Sequence, residues 1–207
     1  MKKKIFLLCN ILVLLISFRA SGQMAELPFS EKIQTATDIF EGKVINKTCF
    51  WNDQHTLIFT ANTIEIYKVF KGNIRSSEVE IITEGGQIDN EIQDVESNLN
   101  LKEGDIGVFI AEISKVFTPK SKENKIPVYR TYGGPQGFIK YDLLEKTASD
   151  PFRKYKNIQD DVYKAIKEQT QQSFRIIKPF NIDKMNETDT KKESFWSGLF
   201  KKKHKKK

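Results

Sequence analysis

The sequence predicts a mainly β protein: a small antiparallel barrel capped by one helix near the C-terminus and followed by a disordered basic tail. Two long β-rich runs, Asp38–Phe50 and Thr56–Phe70, flank the polar turn WNDQH, a pattern typical of an antiparallel hairpin. Shorter strand-like runs follow between glycine-containing turns. An apolar stripe with helical spacing comes after the last of these runs.

The hairpin carries two signs of curvature. Gly42 falls on the apolar face of the first run, where a missing side chain lets a second strand approach closely. In the second run Ile64 and Ile66 are in phase and Val69 is not, so a bulge near Tyr67–Lys68 would restore the alternation and bend the strand. Bent strands with an internal glycine favour a closed or half-closed barrel over a flat sheet.

Alternation along the chain predicts which face each side chain occupies. In the first run one face is predicted to hold Phe40, Val44 and Phe50, and the other Glu41, Lys43 and Lys47. The shorter predicted strands are Glu78–Glu84, Ile106–Ile113, Val128–Tyr132 and Phe138–Asp142. The alternation of the first predicts that it is half-exposed. The second is apolar on both faces and is therefore predicted to be central in the sheet. The polar stretch 87–100 is predicted to be a loop that crosses the barrel.

A helix is predicted over residues 157–171. Asn157 is a suitable N-cap, and Asp160 and Asp161 place acidic side chains in the first turn, where they complement the helix dipole. The helix carries an apolar stripe formed by Ile158, Val162, Ala165 and Ile166. This stripe predicts that the helix closes one end or side of the barrel.

Residues 1–22 have the layout of a secretory signal peptide, with three lysines, an apolar run over 5–18 and small residues at Ala20 and Gly22. Cleavage after Gly22 would start the mature chain at Gln23, and the domain would extend over residues 23–182. The protein is therefore expected to be secreted, either to the periplasm or to the outer cell surface. Cys49 is then the single cysteine, which excludes an internal disulfide.

The basic net charge comes from the two ends of the chain. Subtracting the +4 of the signal peptide and the +6 of the last seven residues, KKKHKKK, from the total of +7 leaves −3 for residues 23–200. A mildly acidic body argues against nucleic acid as the partner of the globular domain.

The tail, residues 183–207, is predicted to be disordered because its first part contains the polar string NETDTKKES. Its end combines large apolar side chains with a lysine run, the two ingredients of interfacial binding to an anionic membrane or a lipopolysaccharide surface. A purely solubilising tail is the alternative. The predicted membrane-contact residues are Phe195, Trp196, Leu199, Phe200, Lys201, Lys202, Lys203, Lys205, Lys206 and Lys207.

Four strings carry a family resemblance: DIFEGKVINKTCFWNDQHTLIFTANTIEIYKVFKG, VEIITEGG, LKEGDIGVFI and YGGPQGFIKYDL. Over about residues 30–180 the chain resembles an N-terminal β-rich domain of large secreted surface proteins of Gram-negative bacteria. Over about 36–113 it also resembles the netrin-like, OB-like barrel of tissue inhibitors of metalloproteinases. That family ligates the protease zinc through an N-terminal cysteine, whereas Gln23 is the expected first residue here, so no functional residue carries over.

These observations predict an exported, non-enzymatic binding or accessory domain at the cell envelope or outside the cell, with no cofactor. Its barrel is expected to bind a protein or glycan ligand through an aromatic face drawn from Trp51, Tyr67, Tyr129 and Tyr132. A protease-inhibitor-like module is one alternative. A hydrolase with paired carboxylates is another, and its candidate acids are Glu84, Asp89, Glu91 and Asp105.

Overall fold

The computed structural model describes residues 24–182, so the predicted signal peptide and the predicted tail lie outside the described residues. The strands are β1 (Asp38–Trp51), β2 (Ile58–Lys71), β3 (Glu78–Glu84), β4 (Gly86–Ile88), β5 (Glu91–Gln93), β6 (Ile106–Ile113), β7 (Val128–Thr131), β8 (Phe138–Asp142), β9 (Thr147–Ser149), β10 (Lys154–Tyr155) and β11 (Arg175–Ile176). The α-helices are α1 (Phe29–Thr35), α2 (Pro119–Asn124) and α3 (Lys164–Thr170), and a π-helical segment, Ile158–Tyr163, precedes α3.

Five of the strands pair in a ring, in the order β1-β2-β3-β7-β6, and β6 pairs back with β1. This confirms the predicted mainly β fold with a small OB-like barrel. The prediction of antiparallel pairing throughout was wrong, because β3 and β7 are parallel. An odd number of strands cannot alternate in direction all the way around a ring, so one pair must be parallel. That pair joins only two residues of each strand, and the barrel is therefore not fully closed there.

The hairpin of β1 and β2 is the longest pairing and has three irregularities of register. One of them leaves Tyr67 unpaired between Lys68 and Ile66, which confirms the predicted bulge. Because of this bulge, Ile64, Ile66 and Val69 all belong to the same buried cluster. The predicted strand phase of β2 is thus correct on both sides of the bulge.

A bulge at Ile45 of β1 was not predicted, and it reverses the predicted faces beyond that residue. Val44 pairs with Ile64 and Asn46 with Thr63, so Ile45 has no partner. Phe50 therefore does not share a face with Phe40 and Val44, and packs instead in a separate small cluster with Phe59. One extra residue moves every later side chain to the opposite face.

Gly42 allows β1 and β2 to approach closely. A Cβ on this residue would lie 2.5 Å from the backbone oxygen of Glu65 and 2.6 Å from Cγ2 of Ile64. The predicted role of this glycine is confirmed.

The sheet is buried on both of its faces. The barrel interior holds one apolar cluster, which includes Phe40, Ile81 and Phe109. A second cluster lies on the outer face, where Val108 and Ile139 are covered by helices. The prediction that β6 is central is confirmed, because it pairs with β1, β7 and β8.

The predicted half-exposure of Glu78–Glu84 was wrong. Glu80 is 2% exposed and Ile82 is 7% exposed. Glu80 accepts a hydrogen bond from the buried hydroxyl of Thr118, and the connection between β6 and β7 covers this face of β3. Sequence alternation gave no indication of that cover, since the covering segment lies about forty residues further along the chain.

The predicted C-terminal helix is confirmed, although its first part is π-helical. The side-chain oxygen of Asn157 accepts the backbone N–H groups of Gln159 and Asp160, as expected of an N-cap. Ile158, Val162 and Ile166 are buried against the outer face of the sheet. Within residues 24–182, no helix has the length and apolar character needed to cross a membrane.

Candidate functional site

An open groove lies between the β1–β2 turn and the connection from β6 to β7. It consists of two adjoining cavities of about 380 and 410 Å³. These volumes are in the range of ligand-binding clefts. Both cavities are lined by Phe59, Lys115 and Val116, so they form one continuous surface, which we call the aromatic groove.

The hairpin supplies one wall of the aromatic groove. Phe50 and Phe59 are register partners, and their rings stack with centroids 5.9 Å apart. Trp51 ends β1 beside them and is half-buried. The side-chain oxygen of Asn52 holds the turn in place by accepting the backbone N–H groups of Thr56 at 2.8 Å and Leu57 at 3.2 Å. The turn therefore presents its aromatic rings from a fixed backbone.

The β6–β7 connection supplies the other wall. Thr118 and Ser121 form a reciprocal capping box at the start of α2, and Thr118 also binds the buried Glu80. This anchor fixes the segment just before α2, where Val116 packs against the aromatic cluster of the hairpin and Phe117 is 62% exposed. Phe117 lines the groove together with Phe50, Trp51 and Phe59, so its exposed ring belongs to a contiguous aromatic surface.

Most charged side chains of the groove are paired with each other. Lys122 lies 3.3 Å from Asp53, and Arg130 lies 2.8 Å from Glu112. Lys115 is exposed and, among residues 24–182, has no ion-pair or hydrogen-bond partner. The carboxylate of Glu84 is likewise unpaired within the described part of the chain, and it lies where the groove meets a third cavity of about 560 Å³ under the β4–β5 hairpin.

The structure does not assemble the predicted aromatic face. Tyr67 and Tyr129 are 5% and 6% exposed and belong to the two large apolar clusters. Tyr132 is half-buried, and its hydroxyl binds Glu31 of α1. Trp51 alone of the four predicted residues lines the aromatic groove. The prediction missed Phe50, Phe59 and Phe117. Because it did not include the bulge at Ile45, it assigned Phe50 to the wrong face of β1.

The four acids proposed for a hydrolase lie in different surroundings. Asp105 forms an ion pair with Lys140 at 2.6 Å. Asp89 and Glu91 are exposed on the β4–β5 hairpin, and Glu84 ends β3 at the groove. Within the described residues, no group of three or more His, Cys, Asp or Glu side chains is placed to hold a metal ion. The predicted membrane-contact residues, Phe195 to Lys207, lie outside the described part of the chain.

A separate, largely buried polar cluster lies between the barrel and the C-terminal helix. Glu41 is fully buried and accepts hydrogen bonds from Lys68 and from the hydroxyl groups of Tyr141 and Tyr163. Burial, and then the charge of Glu41, raise the pKa values of Tyr141 and Tyr163 well above the usual value for tyrosine. Because every member of this cluster is satisfied by another, it serves the fold and offers no free group to a ligand.

Comparison of the chain with protein-family models, with curated proteins and with solved structures gave no match. The resemblances seen in the sequence therefore stay predictions. The functional argument rests on the aromatic groove itself.

Proposed function

We propose that this protein is an exported, non-enzymatic binding module of the cell envelope that binds an extended glycan in the aromatic groove. The observation that carries the proposal is the continuous surface from Trp51 through Phe59 to Phe117, set between two anchored loops. In OB-like barrels, the loops at this position commonly bind extended ligands such as oligosaccharides.

The composition of the groove favours a glycan over the other extended ligands. Phe50, Trp51 and Phe117 offer ring faces on which the apolar face of a sugar ring stacks. Gln54 adds an exposed amide side chain with both donor and acceptor groups for sugar hydroxyls. The paired charges of the rim give no continuous positive track, which a nucleic acid would require.

Attachment to the envelope is proposed for the tail. The stretch FWSGLF followed by KKKHKKK would contact an anionic membrane or lipopolysaccharide surface. Under this proposal the tail fixes the location of the protein, and the aromatic groove supplies its recognition.

The test is binding of the mature chain, residues 23–207, to an array of immobilised oligosaccharides, followed by titration of the best-retained glycan. Trp51 and Trp196 are the two tryptophans, so a Trp196→Phe background leaves Trp51 as the fluorescent reporter. We expect the glycan to change the emission of Trp51, and Trp51→Ala to weaken binding at least about tenfold, as is usual for a central aromatic contact.

Phe152→Ala is the matched control, because Phe152 is an exposed aromatic residue, 40% exposed, that does not line the groove. It should leave the affinity unchanged. Absence of binding to every glycan on the array, or equal affinity of the Trp51→Ala variant, would overturn the proposal. If no glycan binds but an extended peptide changes the emission of Trp51 in the same titration, the ligand is a protein and the glycan proposal is wrong.

A further inference from the structure

Lys115 lies at the centre of the aromatic groove, since it lines both of the cavities that form it. The other two cations of the groove, Lys122 and Arg130, each have a carboxylate partner within 3.3 Å. Lys115 alone presents an ammonium group whose hydrogen-bonding capacity is unused within the described residues. It lines the groove with apolar residues of both walls, Phe59 of the hairpin and Val116 and Phe117 of the β6–β7 connection.

We infer that the groove is selective for a glycan that carries a single carboxylate, which binds Lys115 while the neighbouring sugar rings stack on the aromatic side chains of the groove. This inference rests on the proposed function and adds to it the class of ligand. A carboxylate and an ammonium group form a charge-assisted hydrogen bond, which is stronger than a neutral one. Phe59 and Val116 line the groove together with Lys115, so the acidic group would be bound next to apolar surface that a sugar ring can cover.

The charges around Lys115 limit the ligand to one acidic group at this place. Glu84 is unpaired within the described residues and lines one of the two cavities that Lys115 also lines, and Glu112 and Asp53 line the groove as well. A chain with a carboxylate on every sugar would bring like charges against these acids. The favoured ligand is therefore a mostly neutral oligosaccharide with one uronic or similar acidic unit.

The experiment uses matched pairs on the same oligosaccharide array: each acidic glycan and the same glycan after methyl esterification of its carboxylate. The mature chain is compared with Lys115→Met, Lys115→Arg and Lys125→Met. Lys125 is the matched control, because it is exposed and unpaired within the described residues but lines neither cavity of the groove.

We expect the free acid to bind about tenfold more tightly than its methyl ester, with the difference shrinking as salt is added. Lys115→Met should abolish this difference, Lys115→Arg should keep most of it, and Lys125→Met should leave it unchanged. Equal binding of acid and ester by the mature chain, or an equal loss from Lys125→Met, would overturn the inference but leave glycan binding intact. Failure of all glycans to bind would instead overturn the proposed function.

Discussion

The ammonium group of Lys68 lies 2.5 Å from a carboxylate oxygen of Glu41, and both side chains are buried between the barrel and the C-terminal segment. The rings of Tyr163, Phe174 and Phe180 surround the ammonium group, with centroids 5.1 to 5.9 Å away. The ion pair links β1 to β2, and Tyr163 of the covering π-helical segment donates a hydrogen bond to the same carboxylate. Because burial removes both charges from water, loss of either partner leaves the other uncompensated.

Replacement of Glu41 by Gln should therefore lower the free energy of unfolding by about 3 kcal/mol. Denaturant unfolding followed by circular dichroism measures this change. Glu78→Gln is the control, because Glu78 forms an ion pair with Lys120 of which both side chains are about 40% exposed. That variant should cost less than about 1 kcal/mol. Equal losses in the two variants would contradict the role given to Glu41.

The buried tyrosines predict a loss of stability at alkaline pH. Burial, as the main cause, raises the pKa values of Tyr67, Tyr129, Tyr141, Tyr155 and Tyr163 above 10.0. A raised pKa means that the folded state holds these protons more tightly than the unfolded state. The stability that these five protonated tyrosines contribute is thus complete below about pH 10. It is lost as the pH rises towards the pKa values that they have in the folded state.

Absorbance at 295 nm, recorded together with circular dichroism, tests this prediction. The tyrosinate signal of these five residues should appear in one step with unfolding. Ionisation of all tyrosines near pH 10 in a protein that keeps its native dichroism would contradict it.

Gly42 predicts a local steric effect on stability. Gly42→Val should destabilise the protein by about 1 to 3 kcal/mol, because its side chain would meet the backbone of Glu65 at the closest point of β1 and β2. Gly134→Asn is the control, since a Cβ there meets nothing within 4 Å and Asn tolerates the positive φ of this residue. Similar midpoints of thermal unfolding for wild type and Gly42→Val would show that the two strands separate without cost.

The strands and the capping helix could be predicted because their signals are local. The alternation of β2, with its break at Val69, located a real bulge, and Asn157 marked the start of the helix. The bulge at Ile45 has a weaker signal. Val44 and Ile45 are adjacent apolar residues that break the alternation, but the residues that follow, Asn46 to Thr48, are polar and do not show on which face the strand continues. Alternation alone therefore could not predict which face Phe50 occupies, and so it could not predict the aromatic groove.

Burial of polar residues depends on distant partners and could not be predicted. Glu80 looked exposed because it alternates with apolar residues, yet Thr118 covers it. Likewise Glu41 has its partners at Lys68, Tyr141 and Tyr163, far apart in sequence. Local periodicity shows which residues share a face but not whether another segment covers that face.

The tail predicts salt-dependent attachment to anionic membranes. The mature chain should co-sediment with vesicles that contain phosphatidylglycerol, and removal of residues 195–207 should abolish this, because each lysine near an anionic surface contributes about 1 kcal/mol. Neutral phosphatidylcholine vesicles and added salt provide the controls. Equal sedimentation with and without the tail, or indifference to lipid charge, would leave the tail a solubilising extension.

The central claim, that the aromatic groove binds the ligand, is tested most directly by a ¹H–¹⁵N NMR titration of the mature chain with the best-retained glycan of the array. The account predicts shift changes confined to the groove, at Phe50–Asp53, Phe59 and residues 114–117, with Tyr141 and the C-terminal helix unaffected. Changes centred on the helix-covered face, or no saturable change at any residue of the groove, would contradict it.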